Sequence, residues 1–261
     1  MKSITSRDNP LYKELKHLAT SAQARRKAGQ TLLDGIHLCD AYLQHCGTPA
    51  ICVVSEDAQF HPEVVAIFAH CEAEKVQCIL LPLALYQGLS QVEHGIGILF
   101  VIATHEATLP AALTESAVLL DNLQDPGNLG SILRSAATAG IKHVLCSSGT
   151  AICWSPKVLR AGMGAHFLLN IVENVDLAEV MGSAKIPVLA TSSHVEKRIY
   201  DIDLRQPVAW LFGHEGQGVA EDLLALATQQ VTIPHLGAME SLNVAASAAV
   251  CFFEQVRQLQ A

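Results

Sequence analysis

The chain has 261 residues, of which 50% are hydrophobic, so it is long enough to form one large or two ordinary domains around a substantial core. Its formal net charge of −8 argues against a general affinity for nucleic acids. No apolar run is long enough to span a bilayer and the first residues lack an apolar signal-peptide core, so we expect a cytoplasmic protein with no membrane partner. The 8 cysteines lie scattered in apolar segments without a CxxC pair, which favours buried, reduced thiols over disulfides or a bound metal.

The first 30 residues form a basic segment on an acidic chain. They contain seven Lys or Arg against two acidic residues, a net charge of +5, which leaves −13 for the remainder. The spacing of apolar residues predicts a helix over 10–20, and the polar stretch 21–30 is interpreted as a turn or a second helix. Such an arm indicates a polyanionic partner, contacted by Arg25, Arg26 and Lys27, although a solvated N-terminus would have the same composition.

Strands and helices alternate along the rest of the chain. A small α/β unit is predicted from strands at 50–55, 77–81 and 95–103 and helices at 61–73 and 82–91. The stretch 104–115 breaks this pattern and is interpreted as a linker. Beyond it, strands are predicted at 117–123, 142–147, 167–173, 186–192, 207–213 and 230–235, and helices at 128–139, 155–163, 176–184, 218–228 and 241–259. Continuous apolar strands between helices indicate a buried, mostly parallel sheet, in which ligands bind beyond the carboxyl ends of the strands.

The stretch 118–140 joins an apolar strand, a loop and a helix, as expected of such a strand end. Its sequence predicts Asn128 as the helix N-cap and Gly140 as the C-cap. Arg134 lies about two turns into the helix, outside the apolar stripe. A forked, permanently charged guanidinium suits phosphate, but a solvated surface arginine would occupy the same position.

Two further strand ends carry glycines and polar residues. At 208–218 an apolar strand runs into three glycines in the order GxxGxG, and Glu215 there either accepts hydrogen bonds or caps the next helix. At 231–243 Ser241 is the simplest N-cap of the last helix, with Asn243 in its first turn. A nucleotide-binding α/β enzyme is one alternative, but the lysine and the acidic ribose-binding residue that such enzymes use are missing.

These strand ends together resemble a known family. GNLGSILRSAATAG, LFGHEGQGV and IPHLGAMESLNVAASAA are similar, in this order, to the three motifs of the SpoU (TrmH-like) RNA ribose 2′-O-methyltransferases. The segment SPKVLRAGMGA resembles a further family segment, and ITSRDNPLYKELKHL through LLDGIHL resembles the family's L30e-like substrate-binding extension. The chain departs from the usual family residues at Asp34, Gly162, His235 and Ala245.

The resemblance implies a fold that periodicity alone does not show. It implies an α/β protein with a C-terminal parallel-sheet SPOUT domain containing a deep trefoil knot, preceded by a smaller L30e-like α/β domain. The implied boundaries are 1–105 for the L30e-like RNA-binding domain, 106–115 for the linker and 116–261 for the methyltransferase domain. Such enzymes act as homodimers through the C-terminal domain.

The resemblance also implies the chemistry, which is transfer of a methyl group from S-adenosylmethionine to a ribose 2′-hydroxyl of RNA, with ribosomal RNA favoured over transfer RNA. The implied catalytic residues are Arg134, Asn128, Glu215, Ser241 and Asn243. The implied cofactor-binding residues are Gly213, Ile233, Leu242, Thr191, Phe212 and Gly216. The candidate RNA-binding residues are Arg25, Arg26, Lys27 and Arg160, with a surface ion pair as the alternative for Arg160. No metal is implied.

Two questions stay open at this point. Arg134 either clamps the RNA phosphate and orients the 2′-hydroxyl, or loses a proton to that phosphate and acts as a base, although arginine is a poor base. The alternative function is a non-catalytic RNA-binding or ribosome-assembly factor that retains the fold. Such a protein would be expected to have lost Arg134, Asn128 or the glycine loops, and all of them are present.

Overall fold

The computed structural model describes residues 2–92, 95–105 and 107–260. The chain forms two compact units. The first unit comprises Met1–His105 with Trp154–Phe167, and the second unit comprises Glu106–Cys153 with Leu168–Ala261.

Strands and helices alternate along the chain, as the apolar pattern predicts. The strands are β1 (Lys2–Ser3), β2 (Gln30–Asp34), β3 (Ile51–Ser55), β4 (Gln77–Leu81), β5 (Ile98–Ala103), β6 (Ala117–Leu120), β7 (His143–Ser147), β8 (Asn170–Val175), β9 (Val188–Thr191), β10 (Ala209–Phe212) and β11 (Gln229–Val231). The helices are α1 (Pro10–Thr20), α2 (Ala22–Ala28), α3 (Ile36–His45), α4 (Pro62–Ala73), α5 (Leu83–Leu89), α6 (Pro126–Thr138), α7 (Pro156–Gly162), α8 (Leu177–Ser183), α9 (Glu221–Leu226) and α10 (Val244–Leu259). Within the described part of the chain, none of the helices is both long and apolar enough to cross a membrane.

The sheet of the first unit has the strand order β1-β4-β3-β5-β2. It is mixed, because β5 runs antiparallel to β2 and β3 while β4 is parallel to β1 and β3. Successive side chains of a strand point to opposite faces, and here both faces are buried. Leu33 and Val54 pack in one core cluster, and their neighbours Leu32 and Val53 pack in another. The α/β unit predicted from the apolar pattern is thus present, and its likeness to an L30e-like domain stays a prediction.

The segment Trp154–Phe167 packs into the first unit although the sequence on either side of it belongs to the second unit. The Leu159 side chain on α7 is fully buried in the first unit's core. Thr31 Oγ1 also donates a hydrogen bond of 2.8 Å to the Trp154 carbonyl oxygen. The bounds predicted from the sequence, 1–105, 106–115 and 116–261, place this segment with the second unit, whereas its contacts are with the first unit.

The predicted linker 106–115 is in part a packed segment. The Leu113 side chain is buried in the core of the second unit. The Leu113 carbonyl oxygen also accepts a hydrogen bond of 2.9 Å from the Lys185 N–H. Glu106, where the predicted linker begins, lies outside the described residues, and the stretch around Leu113 belongs to the second unit.

All six strands of the second unit's sheet are parallel, in the order β11-β9-β10-β6-β7-β8. The neighbouring strands β6 and β10 are entirely buried. Their uninterrupted apolar sequences, AVLL and AWLF, suit strands that are covered on both faces of the sheet. This arrangement confirms the predicted parallel α/β fold. The trefoil knot concerns how the chain is threaded rather than how its strands pair, and it stays a prediction.

Candidate active site

The strand order of the second unit reverses between β6 and β10. The chain continues from β6 to β7 and β8 on one side, while β9, β10 and β11 lie on the other side. Ligands of open parallel sheets bind at such a reversal, beyond the carboxyl ends of the strands. The Asp121 N–H donates a hydrogen bond of 2.8 Å to the Phe212 carbonyl oxygen, so the loops after β6 and β10 start side by side.

Glu215, in the loop after β10, binds the loop after β6 through its carboxylate. Its Oε2 atom accepts a hydrogen bond of 3.1 Å from the Gln124 N–H. Its Oε1 atom accepts one of 2.9 Å from the Asp125 N–H and one of 3.1 Å from Asn128 Nδ2. The N-cap of the following helix α9 is instead Ala220, without a side-chain bond. Of the two alternatives for Glu215, the hydrogen-bond acceptor is the one observed.

These hydrogen bonds also set the charge state of Glu215. Partial burial acts to raise the pKa of the carboxyl group. The bonds from the N–H groups of Asp125 and Gln124 and from the Asn128 amide act in the opposite direction, and together they hold the pKa of Glu215 below its ordinary value. At neutral pH the carboxylate is therefore ionised and able to accept all three bonds.

The N-cap of α6 is Asp125, not Asn128 as the sequence analysis predicts. The Asp125 side chain accepts a hydrogen bond of 2.8 Å from the Asn128 N–H, and proline follows at the first helical position. The helix ends at the C-cap Ala139, and the next residue, Gly140, has a left-handed φ of 79°. Because the cap is supplied by another residue, the Asn128 side chain is available for other contacts.

Asn128 joins two loops that are far apart in sequence. Its Nδ2 atom donates to Glu215, and its Oδ1 atom accepts a hydrogen bond of 2.9 Å from Asn243 Nδ2. Asn243 is the N-cap of α10, since its Oδ1 atom accepts bonds from the N–H groups of Ala245 and Ala246. The predicted N-cap, Ser241, is therefore wrong, because α10 begins at Val244. A chain of side-chain hydrogen bonds, Glu215–Asn128–Asn243, thus connects the loops after β6, β10 and β11.

The other two predicted catalytic residues lie outside this hydrogen-bond chain. Arg134 is exposed on α6, seven residues after Gly127 and hence about two turns further along the helix. Ser241 is exposed in the loop before α10. Among the described residues, neither the Arg134 guanidinium nor the Ser241 hydroxyl makes a hydrogen bond. Both groups are therefore available to a ligand.

The loop after β10 is a tight turn that only glycine at its first position permits. The N–H and carbonyl groups of His214 pair with those of Gly218 at 2.9 and 2.8 Å. A Cβ atom on Gly213 would lie 2.2 Å from the carbonyl group of Gly218 and from the Val219 nitrogen. Gly216 is exposed at the far side of the same turn. Gly213 is therefore required for this close backbone approach.

The remaining candidates for cofactor binding differ in how far their side chains are exposed to solvent. The Phe212 side chain is fully buried against Phe252, with ring centroids 5.8 Å apart, so only its backbone can reach a ligand. Thr191 is half-buried and donates from Oγ1 to the Leu211 carbonyl oxygen at 3.3 Å. Ile233 and Leu242 stand in the loop after β11, where Ile233 is half-buried and Leu242 is exposed.

Asp121, which no sequence motif singles out, forms a second link between the first two loops. Asp121 Oδ2 accepts a hydrogen bond of 3.0 Å from the Ala220 N–H, at the start of α9. Its Oδ1 atom accepts one of 3.3 Å from Ser147 Oγ. No spacing rule signals this link, because its partners lie 26 and 99 residues away along the chain. The missed N-cap Asp125, by contrast, had a signal in the Asp-Pro pair at the start of α6.

The candidate RNA-binding residues lie in the first unit. Arg25 is half-buried and donates from Nη1 to the Leu18 carbonyl oxygen at 2.8 Å, near the end of α1, and burial lowers its pKa. One donor of Arg25 is thus engaged within the protein, and its contact with RNA stays a prediction. Arg26 and Lys27 are exposed. Arg160 is half-buried, its Nη1 atom lies 3.5 Å from Gln91 Oε1, and it makes no ion pair with any of the residues that the structure describes.

The fold and the site together define a class of protein. A parallel sheet covered by helices, with polar loops at the reversal of its strand order, belongs to the α/β enzymes that bind their ligands at the carboxyl ends of strands. The sequence profile of the SpoU rRNA Methylase family matches residues 115–253, which is more than half of the chain. The chain belongs to this family.

Individual relatives extend over nearly the whole length. A Synechocystis protein named as an uncharacterized tRNA/rRNA methyltransferase is 31% identical, over 98% of this chain and 94% of its own length. The Bacillus subtilis 23S rRNA guanosine 2′-O-methyltransferase RlmP is 28% identical, over 97% and 98%. The solved structure of an AdoMet-bound rRNA methyltransferase from Sinorhizobium meliloti is 25% identical, over 99% and 98%, with a TM-score of 0.86. These matches confirm the predicted family, the methyltransferase activity and the cofactor, S-adenosylmethionine.

Proposed function

We propose that this protein transfers a methyl group from S-adenosylmethionine to a ribose 2′-hydroxyl of ribosomal RNA. The observation that carries the proposal is the Glu215–Asn128–Asn243 hydrogen-bond chain, which ties together the three loops that hold the family motifs. The names of the Bacillus subtilis and Sinorhizobium meliloti relatives support ribosomal RNA as the substrate. No finding favours a non-catalytic assembly factor.

The loops after β9, β10 and β11 suit S-adenosylmethionine. Gly213 permits the tight turn after β10, the exposed Gly216 leaves its backbone groups uncovered, and Leu242, which is 41% exposed, offers an apolar surface in the loop after β11. We assign these three residues, with Thr191 and Ile233, to cofactor binding. When bound, the cofactor supplies a methyl group already activated by the sulfonium charge, so the protein has to position groups rather than create a reactive one.

Arg134 is the residue we assign to the RNA side of the reaction. Its guanidinium is exposed on α6, one of the helices held by the hydrogen-bond chain. We propose that it clamps the phosphate next to the reacting ribose and orients the 2′-hydroxyl, because arginine binds phosphate with two parallel hydrogen bonds. Asn128, Glu215 and Asn243 then fix the loops around it, and the exposed Ser241 hydroxyl is available to the ribose.

The test of this proposal is methyl transfer itself. The purified protein is incubated with methyl-labelled S-adenosylmethionine and, in separate reactions, unmodified ribosomal RNA or transfer RNA. Label is expected in ribosomal RNA. Label that enters only transfer RNA would contradict the proposed substrate, and label in neither RNA while the cofactor binds would contradict the proposed reaction on mature RNA.

The first unit is proposed to hold RNA with the surface of α1 and α2. A groove of about 470 Å³ lies between these helices, and its charged or titratable lining residues are Lys13, His17 and Lys27 with the one acidic residue Glu14. Lys13 is also 3.0 Å from Asp8, but both side chains are largely exposed, so this ion pair competes weakly with a phosphate. Arg26 lies beside Lys27 on α2 and is exposed as well. Arg160 is left as a weaker candidate because of its contact with Gln91.

Replacing Arg26 and Lys27 with glutamine is expected to weaken RNA binding and reduce its salt dependence. Each lost phosphate contact lowers the slope of log K against log salt by about 0.7 to 0.9, so the pair should lower it by about 1.4 to 1.8. The measurement is fluorescence anisotropy of a labelled ribosomal RNA fragment over a series of salt concentrations. The control removes the same charge from the second unit, at the exposed residues Lys142 and Lys185. An equal change of slope in both double variants would show that the effect is not specific to α2.

The protein is further proposed to form a homodimer through the second unit. Helix α10 packs its inner face on the sheet but leaves Phe253, on its outer face, 45% exposed. Large apolar side chains on the outer face of a helix are typical of a surface that a partner covers. A cytoplasmic location stays a prediction from the sequence.

Changing Phe253 to aspartate is expected to convert the dimer into a monomer, because a carboxylate would be buried at the interface. Light scattering during size-exclusion chromatography should give twice 27.9 kDa for the unchanged protein and 27.9 kDa for the variant. Phe60→Asp is the matched control, since Phe60 is 83% exposed in the first unit. A monomeric unchanged protein, or a dimeric Phe253→Asp variant, would contradict the proposed interface.

A further inference from the structure

His214 stands next to Glu215, and the reaction proposed above gives it no task. Its Nδ1 atom accepts a hydrogen bond of 2.9 Å from the Gly216 N–H and one of 3.2 Å from the Gln217 N–H. Backbone N–H groups can only donate, so Nδ1 carries a lone pair and the proton of the neutral ring lies on Nε2. The arrangement thus assigns both the tautomer and the neutral charge state of the imidazole.

The imidazole lies inside the turn and accepts hydrogen bonds from the turn's own backbone. The backbone of His214 pairs with Gly218 in both directions, so the residues 214–218 form a closed loop. Inside this loop the N–H groups of Gly216 and Gln217 both point to the same ring nitrogen. Glu215 lies between these fixed points, and its carboxylate reaches across to the loop after β6. The direction of the Glu215 side chain therefore depends on the shape of this turn.

We propose that His214 is a positioning residue, which in its neutral form holds the turn 214–218 so that Glu215 can bind the loop after β6, and which releases the turn when it is protonated. A protonated imidazole has two N–H donors and no acceptor. Its Nδ1–H would therefore point at the two backbone N–H groups, and none of these three donors would have an acceptor. The inference rests on the proposed methyl transfer for its kinetic readout. It adds a requirement for that reaction, which is an unprotonated His214.

Charged groups lie on every element that is hydrogen-bonded to the turn or continues from it. The turn is hydrogen-bonded to the loop after β6 and to α6, and it leads directly into α9. The charged groups on these elements are Glu215 in the turn, Asp121 and Asp125 in the loop after β6, Arg134 on α6, and Glu221 and Asp222 at the start of α9.

The sharpest test compares His214→Asn with His214→Ala. Asparagine can accept the same two backbone N–H bonds through its side-chain oxygen, as in an Asx-turn, and it does not titrate. Alanine leaves both N–H groups without their partner. We expect His214→Asn to keep activity near that of the unchanged protein at neutral pH and to lose the decline on the acid side. His214→Ala should lose activity on the order of tenfold or more at every pH, because Glu215 is no longer held in place.

The measurements are kcat and KM for S-adenosylmethionine between pH 5.5 and 8.5. His70→Asn is the control, because His70 is exposed on α4 in the first unit, and it should keep the decline on the acid side. A decline that persists in His214→Asn, or full activity in His214→Ala, would overturn the proposal.

A second measurement does not need activity, so it separates this proposal from the proposed function. Long-range ¹H–¹⁵N NMR reports which nitrogen of a histidine ring carries the proton, and the His214 signals are those lost in His214→Asn. The proton is expected on Nε2 at neutral pH. A proton on Nδ1 would overturn the inference even if the enzyme is active, whereas a proton on Nε2 in an inactive protein would leave the turn as described and count only against the proposed reaction.

Discussion

Replacing Arg134 with alanine is expected to reduce kcat for methyl transfer by about 10²- to 10³-fold or more, the loss seen when a group that stabilises a reacting centre is removed. The affinity for S-adenosylmethionine should stay within a few-fold of normal, because Arg134 is assigned to the RNA and not to the cofactor. Its exposed guanidinium makes no hydrogen bond among the described residues, so its removal should leave the fold intact. The measurements are the rate of label transfer to ribosomal RNA and cofactor binding by calorimetry.

Two further variants make this result interpretable. Arg134→Lys keeps the positive charge but loses the forked pair of donors, so it should recover only a small part of the activity if the phosphate is held by two parallel bonds. Arg205→Ala removes another exposed arginine of the second unit, one that is paired with Asp203, and should be close to normal. Near-normal activity in Arg134→Ala would contradict its catalytic role. Loss of cofactor binding in that variant would show a structural role instead.

Changing Gly213 to alanine is expected to have the largest effect on the cofactor loops. The added methyl group would lie 2.2 Å from backbone atoms of Gly218 and Val219, which have no flexible side chain that could move aside. The turn after β10 must therefore open, and Glu215 moves with it. Overpacking of this kind costs about 1 to 3 kcal/mol of folding free energy. We also expect S-adenosylmethionine to bind at least about tenfold more weakly, because a loss of about 1.4 kcal/mol in binding free energy raises Kd tenfold.

Gly182→Ala is the matched control for this substitution. Gly182 lies near the end of α8, and a Cβ atom there would have no heavy atom within 4 Å. Alanine favours helix more than glycine does, so this variant should be as stable as the unchanged protein or more stable. Thermal unfolding and calorimetry with S-adenosylmethionine measure both quantities. Normal stability and normal affinity in Gly213→Ala would contradict the assignment of the turn as a rigid part of the cofactor site.

Local sequence patterns were sufficient for much of the fold. The bounds predicted for the helix at 10–20 and the strand at 77–81 coincide with α1 and β4. Both elements are short, regular and bounded by clear end signals. The polar stretch 21–30 is compatible with a turn or a helix from its sequence, and α2 shows that the helix is correct. Its apolar residues are few, so periodicity gave little to distinguish the two.

Errors in the helix caps had a local cause. Asp, Asn and Ser all serve as N-caps, and several of them precede each of the helices α6 and α10. The sequence predicts Asn128 and Ser241 as the N-caps, whereas the structure uses Asp125 and Asn243. The correction matters for function, because Asn128 is left free to join the loops of Glu215 and Asn243.

The other differences arise from contacts between residues that are distant in sequence. The segment Trp154–Phe167 lies within the second half of the chain, yet Leu159 is buried in the core of the first unit. Arg25 belongs to a run of basic residues that composition assigns to RNA, but its guanidinium binds the carbonyl oxygen of Leu18. The sequence predicts Glu215 as a polar residue at a strand end, but its hydrogen-bond partners lie 87 to 91 positions away. Periodicity and composition describe neighbours along the chain and contain no information on such pairs.

The most direct measurement is the position of the transferred methyl group on the RNA. Ribosomal RNA labelled by the protein is hydrolysed completely with alkali, which cleaves each phosphodiester through the neighbouring 2′-hydroxyl and cannot cleave where that hydroxyl is methylated. We predict that the label is recovered in alkali-stable dinucleotides and that no label is transferred by Arg134→Ala. Label recovered in mononucleotides would mean that a base is methylated, and would contradict the assignment of a ribose 2′-hydroxyl as the methyl acceptor.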